Sequence, residues 1–367
     1  MRLSLQAVGK TVAGEMHLAD ITADMASGLN VLLGPTGAGK TSLLRLIAGL
    51  DRPSAGRILL DDRDLTALGV RKRKVAMVYQ QFVNYPSFTV YDNIASPLRQ
   101  SGHHDAKEID RRVREAAALL QIEPMLDRLP AQLSGGQQQR TAIARAIVKD
   151  ADLLLLDEPL VNLDYKLREE LRAEMRTLFA QRQTIVIYAT TEPTEALLLG
   201  GTTMVLDRGR ALQFGRTLGV YHHPVSTRVG EIFSDPSMNL LDAHIAENQL
   251  QLSTDVVFPL PPHMTALDPG TYRIGLRATH ISLSAAGMDA VPVLADVELA
   301  EISGSETFLH LRHRDLNFIG QVEGVHPFEL GAQVTVYLNR SRLYAFNNLG
   351  KLVGAPVTRE GSGNGTH

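Results

Sequence analysis

The chain contains no cysteine among its 367 residues. That excludes a disulfide framework and any zinc–thiolate centre, and it fits a reducing compartment. It also lacks an apolar run near the about 18 residues that span a bilayer; Leu153–Leu156 has only the length of a buried strand. Nor is there a charge excess of one sign, because the formal net charge is -3. No global basic field therefore recruits nucleic acid or anionic lipid, and the run Arg71-Lys72-Arg73-Lys74 reads as a solvated turn before a strand. The opening residues resemble no secretory leader, since Arg2 is followed by the alternating LSLQAV and then Gly9-Lys10. His103-His104 and His222-His223 are adjacent pairs whose side chains point different ways, which is poor geometry for a metal. The methionines are scattered and read as gap-filling core. A soluble protein is expected, which reaches a membrane only through a partner.

What the chain does have is three short segments in a fixed order: Gly34–Thr41 (GPTGAGKT), Leu133–Gln137 (LSGGQ) and Leu153–Glu158 (LLLLDE). Gly28–Leu33 runs as a short buried strand into the first, and Leu43, Leu44, Leu46, Ile47 and Leu50 recur beyond it at helical spacing. Strand, glycine loop and helix together make a phosphate cradle, with the helix dipole facing an anion. Gly34, Gly37 and Gly39 let the backbone curl so that N–H groups converge on a phosphate, with Pro35, Thr36 and Ala38 completing the loop. Lys40 supplies charge to the β- and γ-phosphates, Thr41 places a hydroxyl on Mg²⁺, and Ser42 assists at the helix start. The structural alternative is an ordinary glycine turn ahead of a helix. Asp157, ending a buried strand, is the expected metal-side carboxylate, acting through water; a structural cap network is the competing reading of the Asp157-Glu158 pair. Ser134 is a good N-cap, so Ser134, Gly135, Gly136 and Gln137 open a helix whose N–H groups and small hydroxyl can approach a γ-phosphate.

These motifs, with Gln80 between them, resemble the ATP-binding cassette (ABC) ATPases, and more narrowly the sugar and polyol importer ATPases of the maltose-transporter type. The resemblance implies an α/β fold: a P-loop nucleotide triphosphatase domain with a parallel-sheet core and a helical subdomain, then a small all-β, OB-like accessory domain. Residues 1–235 are expected to form the first and 236–355 the second, with 356–367 a disordered tail. Helices are predicted at 91–99 and 107–121, and strands at 2–8, 16–25, 75–79, 153–156 and 184–189. In the accessory domain, Gly275-Leu276-Arg277, Gly304-Ser305-Glu306-Thr307 and Arg342-Leu343-Tyr344-Ala345-Phe346 carry the likeness. The resemblance further implies that Glu158 is the catalytic base, and that Gln80 contacts Mg²⁺ and senses the γ-phosphate. It implies too that Ser134–Gln137 serve the ATP of the opposite subunit, and that Val161-Asn162-Leu163-Asp164 crosses the dimer interface. Tyr79, Phe82, Tyr85, Phe88 and Tyr91 either line the groove that receives a membrane subunit or belong to the core; both readings stand.

Two departures from the family pattern concern the nucleotide site. Where relatives carry a histidine after the strand that follows the catalytic glutamate, this chain reads Tyr188-Ala189-Thr190-Thr191-Glu192 and offers Thr191. A hydroxyl can donate to a phosphate but cannot carry a positive charge or hold a carboxylate and water as imidazole does. Around Lys10–Gly14 there is also no aromatic residue to stack on adenine, which leaves Val12 or His17 to cover the base. The expectation is an ATP-hydrolysing, energy-coupling subunit of a sugar or polyol importer, of the glycerol type. It is partly degenerate, paired with a different ATPase chain and with two transmembrane permease subunits, and served by a periplasmic or extracellular binding protein. It would work at the cytoplasmic face of the cell membrane, with ATP and Mg²⁺. The alternative is a regulatory subunit that binds ATP and hydrolyses little. Chromosome-maintenance ATPases share a signature motif but need a long coiled-coil insertion, and the stretch from Lys40 to Leu133 is too short for one.

Overall fold

The computed structural model describes residues 1–102, 105–161, 163, 165–180, 183–285, 287 and 289–357. The chain divides into two compact units, Met1–Thr217 and Leu218–His367. The division expected between residues 235 and 236 falls inside the second unit. Of the expected disordered tail, residues 358–367 lie outside the described residues, as do His103, His104, Asn162 and Asp164.

The first unit runs β1 (Arg2–Val12), β2 (Glu15–Ala26), β3 (Gly28–Leu33), α1 (Lys40–Ala48), β4 (Ala55–Leu60), β5 (Arg63–Asp64), β6 (Val75–Val78), α2 (Val90–Ser101), α3 (Ala106–Leu119), α4 (Gly135–Ile147), β7 (Leu153–Asp157), α5 (Tyr165–Ala180), β8 (Ile185–Thr190), α6 (Pro193–Leu199), β9 (Thr202–Asp207) and β10 (Arg210–Arg216). A six-stranded sheet has the order β10-β9-β3-β8-β7-β6. Its pairings are parallel except for β10, which joins β9 antiparallel at the edge. Strands β7 and β8 are buried at every position, as continuous apolar runs in a covered parallel sheet should be. Leu43, Leu44, Leu46 and Ile47 of α1 seal one face in a core shared with Leu32, Leu155 and Ile187.

The amino-terminal strands do not join that sheet. They form a separate antiparallel sheet of order β2-β1-β4-β5, because only alternate side chains, Leu3, Leu5, Ile21 and Met25 among them, are apolar and buried. Side-chain oxygens cap the subdomain helices: Thr89 accepts from the Asp92 N–H, Asp105 from Glu108 and Ser134 from Gln137.

The second unit opens with α7 (Thr217–His222), which begins at the division, and α8 (Thr227–Ile232). It then turns all-β through β11 (Asn239–Ala246), β12 (Gln249–Gln251), β13 (Val257–Pro259), β14 (Gly270–Leu276), β15 (Ile281–Ser282), β16 (Ala290–Ser303), β17 (Glu306–His313), β18 (Leu316–Glu323), β19 (Gln333–Asn339), β20 (Tyr344–Phe346) and β21 (Leu352–Gly354). Two antiparallel sheets, β13-β12-β11-β14-β20-β21 and β15-β19-β16-β17-β18, share one core that includes Ile274, Leu276, Val293, Val297, Leu309 and Leu338. Arg277 anchors the end of β14. It donates to the Phe233 and Tyr221 carbonyls at 2.7 Å each, with its guanidinium 3.7 Å from the centre of the Tyr221 ring. Among the described residues, no helix is long and apolar enough to cross a membrane, and no cluster of three or more His, Asp or Glu could hold a metal.

Candidate nucleotide site

Strand order places the chemistry. Leu33 at the end of β3 pairs with Thr190 at the end of β8, and Asp157 at the end of β7 pairs with Ala189. Three carboxyl-terminal strand ends thus stand side by side, the place where parallel α/β sheets bind ligands. The Gly34 N–H donates to the Thr190 carbonyl at 3.3 Å, and the Glu158 N–H to the Ala189 carbonyl at 3.1 Å. Both the glycine loop and the carboxylate are therefore fastened to β8.

Gly34 is required for space: a Cβ there would lie 2.3 Å from the Leu206 carbonyl oxygen on β9. Lys40 is buried, and its Nζ donates to the Gly34 and Pro35 carbonyls at 2.7 and 3.2 Å. The same ammonium lies 3.3 Å from Glu158 Oε1. Burial pushes the Lys40 pKa below its ordinary value, opposed by the Glu158 and Asp157 carboxylates. Thr41 Oγ1 donates to Asp157 Oδ1 at 3.1 Å. Asp157 is only 2% exposed, and burial raises its pKa, with the Thr41 hydroxyl working in the opposite direction. Gln80 reaches from beyond β6 to donate to Glu158 Oε2 at 3.1 Å. Glu158 itself sits at φ 48°, an uncommon conformation for a residue with a side chain, and one that clusters at functional sites.

Lys40, Thr41, Gln80 and Glu158 line a cleft of about 660 Å³. It holds Thr36, Gly37, Ala38, Gly39, Lys40, Thr41, Ser42, Gln80 and Glu158 together with Glu15, Met16, His17, Arg208 and Gly209. Gly34, Pro35 and Asp157 stand behind that wall through the bonds just given. Thr191 and Ser134–Gln137 are not part of the lining. Thr191 is exposed and, among the described residues, makes no side-chain hydrogen bond. Ser134 and Gln137 form a reciprocal capping box, with Ser134 and Gly135 exposed at the start of α4.

Of the two residues expected to cover a base, His17 lines the cleft and Val12 does not. The larger apolar surface there is Met16, 50% exposed, which the sequence reading passed over. Arg208 and Gly209 were also missed. Both have positive φ, 45° and 76°, as a two-residue hairpin turn between β9 and β10 demands. The turn is pinned to the glycine loop by Gly209 N–H to the Ala38 carbonyl at 3.0 Å, and to β2 by Ala19 N–H to the Gly209 carbonyl at 2.8 Å. A dipeptide Arg-Gly after an apolar run signals a turn, but only the β9–β3 pairing shows what it abuts.

Arg73 corrects the reading of the basic run as wholly solvated. It is 6% exposed, and its guanidinium donates to the Leu46, Ile47, Leu65 and Leu68 carbonyls, tying the end of α1 to the loop before β6. Burial lowers its pKa to about 10. The clustered aromatics lean to the surface: Tyr79, Tyr85 and Phe88 are exposed, and Phe82 and Tyr91 half-buried. Tyr85 and Phe88 line a groove of about 440 Å³ with Met77, Pro97, Arg145 and Lys149.

The ABC transporter family profile matches residues 18–161. The sn-glycerol-3-phosphate import ATP-binding protein UgpC of Pectobacterium atrosepticum is 34% identical over 350 residues, covering 94% of this chain and 97% of that protein. The protein of the same name from Escherichia coli strain K12 is 35% identical over 355 residues, with the same coverage of 94% and 97%. Among solved structures, the dimeric post-hydrolysis state of the ATP-binding cassette MJ0796, bound to ADP and Pi, aligns with a TM-score of 0.54 and 27% identity over 59% of this chain and 98% of that one. With near full-length relatives above 30% identity and the phosphate loop, signature helix and paired carboxylates on one scaffold, the chain belongs to the ATP-binding subunits of ABC transporters and is an ATPase.

Proposed function

We propose that the chain is the energy-coupling ATPase of an importer for a polyol or polyol phosphate of the glycerol type. The observation that carries this reading is the convergence of Lys40, Thr41, Gln80 and Glu158 on one cleft, with Asp157 held behind Thr41. Similarity to glycerol-3-phosphate import subunits along nearly their whole length supports the substrate class. Triphosphate lies along the glycine loop with its β- and γ-phosphates at Lys40. Glu158 accepts a proton from the attacking water, oriented by Gln80. Thr41 and Asp157 are hard oxygen donors 3.1 Å apart, the chemistry Mg²⁺ takes together with phosphate oxygens and water. When bound, that ion neutralises charge on the phosphates.

Exposed Ser134 and Gly135 at a capped helix start fit a role on the nucleotide of a second subunit, and they lie outside this chain's own cleft. Asn162 and Asp164 of the loop expected at that interface lie outside the described residues. The groove of Tyr85, Phe88, Arg145 and Lys149 fits a permease element, which would hold the chain at the cytoplasmic face of the membrane. Thr191, exposed and without a side-chain hydrogen bond among the described residues, supports a weak site paired with a stronger one on a different ATPase chain. It equally supports the second reading, a regulatory subunit that binds ATP and hydrolyses little.

The deciding experiment measures ATPase activity of the chain alone, then with its permease and a second ATPase, and repeats it with Glu158→Gln in each subunit in turn. Asymmetric function predicts a smaller loss of transport from the change in this chain. Equal losses from both would overturn the asymmetry, and stimulated turnover in the two-subunit complex that does not depend on Glu158 of this chain would favour the regulatory reading.

A further inference from the structure

Two loops flank Glu158, one following it in sequence and the other following β8. Arg168, on the first turn of α5, touches both. Its Nη2 donates to the Val161 and Leu163 carbonyls at 3.2 and 3.3 Å, while its Nη1 lies 2.7 Å from Glu192 Oε1. Glu192 adjoins Thr191. The second oxygen of Glu192 is held by Arg172 at 3.2 Å, and Arg172 in turn pairs at 3.2 Å with Glu195.

Glu195 is buried and gathers the strand end above it. It accepts from Thr190 Oγ1 at 2.6 Å and from the Tyr188 hydroxyl at 3.2 Å. Thr190 Oγ1 itself accepts from the Glu192 N–H at 3.0 Å. The Thr190 carbonyl carries the glycine loop through the Gly34 N–H at 3.3 Å. An unbroken chain of polar contacts therefore runs from the backbone just after Glu158, through Arg168 and Glu192, to the residue that holds the phosphate loop. Among the described residues, Arg168 bridges the two loops directly. A planar guanidinium does this because it can satisfy two carbonyls and a carboxylate at once.

We propose that Arg168 is a positioning residue that locks the loop after Glu158 to the Thr191 loop through Glu192, so that the two move as one piece. This rests on the ATPase reading of the cleft. With Thr191 offering no charged contact of its own, the Arg168–Glu192 pair sets where the Thr191 loop stands relative to Glu158. Neither residue lines the cleft, so the lock acts on geometry and leaves the binding contacts intact. Pairs of this kind, partly buried and sharing backbone carbonyls, couple more strongly than exposed ion pairs.

The test uses the full-length chain, with and without ATP and magnesium, in Arg168→Ala, Glu192→Gln and, as a control on the exposed face of the same helix, Arg176→Ala. Amide hydrogen exchange is read over 159–163 and 190–193, and turnover is read as separate kcat and KM. The lock predicts that Arg168→Ala and Glu192→Gln each speed exchange in both segments together. It also predicts that each lowers kcat about tenfold with KM for ATP little changed, while Arg176→Ala does neither. Exchange that rises only in 159–163 overturns the lock, and so does unchanged kcat where both segments loosen. If the wild-type chain shows no turnover in any assembly, the ATPase reading fails, and the exchange data alone then decide whether the loops are coupled. Should Arg168→Ala not fold, Glu192→Gln carries the same prediction on a half-exposed side chain.

Discussion

The Lys40 ammonium and the Glu158 carboxylate lie 3.3 Å apart across the cleft, so the expected phosphate cation and the expected base hold each other. Under the proposed function, a γ-phosphate entering the loop competes with Glu158 for Lys40 and frees Glu158 toward water. Lys40→Ala should abolish nucleotide binding, measured with a fluorescent ATP analogue. Glu158→Gln should retain that binding and lose at least about 10²-fold in turnover. Similar loss of binding in both variants would show that the pair is structural.

Asp157 carries a cost that the metal-side role proposed for it explains. Burial holds its pKa above the ordinary carboxylate value, so the folded chain binds the proton more tightly than the unfolded one. Stability contributed by the protonated group is present below pH 3.8 and is lost as pH rises through the folded pKa. At neutral pH the ionised group is therefore destabilising, and Asp157→Asn should raise the melting temperature of the first unit by about 2 °C or more while lowering magnesium-dependent turnover. Calorimetry and an ATPase assay on the same sample check both halves.

His280 makes the second unit sensitive to acid. Burial, with Arg277, Arg342 and His222 nearby, lowers its pKa to about 4 from 6.5. Between those values the unfolded chain binds more protons than the folded one, so stability rises with pH across that window and falls as pH drops from 6.5 toward 4. His280→Phe should flatten this part of the pH dependence of the second unit's melting. An unchanged slope would place the sensitivity elsewhere.

Arg277 is 3% exposed and serves two backbone carbonyls while stacking on Tyr221. Arg277→Lys keeps the charge but neither the planar fork nor the stacking. Thermal melting should fall with Lys nearly as far as with Ala, a loss of about 3 kcal/mol or more, since buried carbonyls and a buried charge are left poorly matched. Full rescue by lysine would show that charge alone matters at this position.

The site was legible in the sequence wherever chemistry is local. Gly34 and its neighbours must be small for backbone to meet backbone, Lys40 and Thr41 follow at the helix start, and Asp157-Glu158 close an apolar strand. Ser134 announces its cap three residues ahead of Gln137. The helices at α2 and α3 and the strands β6, β7 and β8 were equally plain, because burial imposes their periodicity on neighbouring residues. Less legible were Met16 and Arg208, whose roles depend on which strand lies beside which. Arg73 looked like any basic surface residue, since nothing in a run of four charges shows which one turns inward to four carbonyls.

The sequence alone determined the class of chemistry: a phosphate cradle, a signature helix start and a carboxylate pair, each set by spacings of a few residues that steric and hydrogen-bond rules make unambiguous. It also showed Thr191 where the family resemblance leads one to expect a histidine, since residue identity is read without coordinates. Tertiary structure decided the rest. The register that sets Leu33 beside Thr190 and Asp157 beside Ala189, the turn of Arg208 and Gly209 against the glycine loop, and the reach of Arg168 to Glu192 all depend on long-range pairing. That pairing is selected by burial of whole faces, and no single stretch of the chain records its outcome.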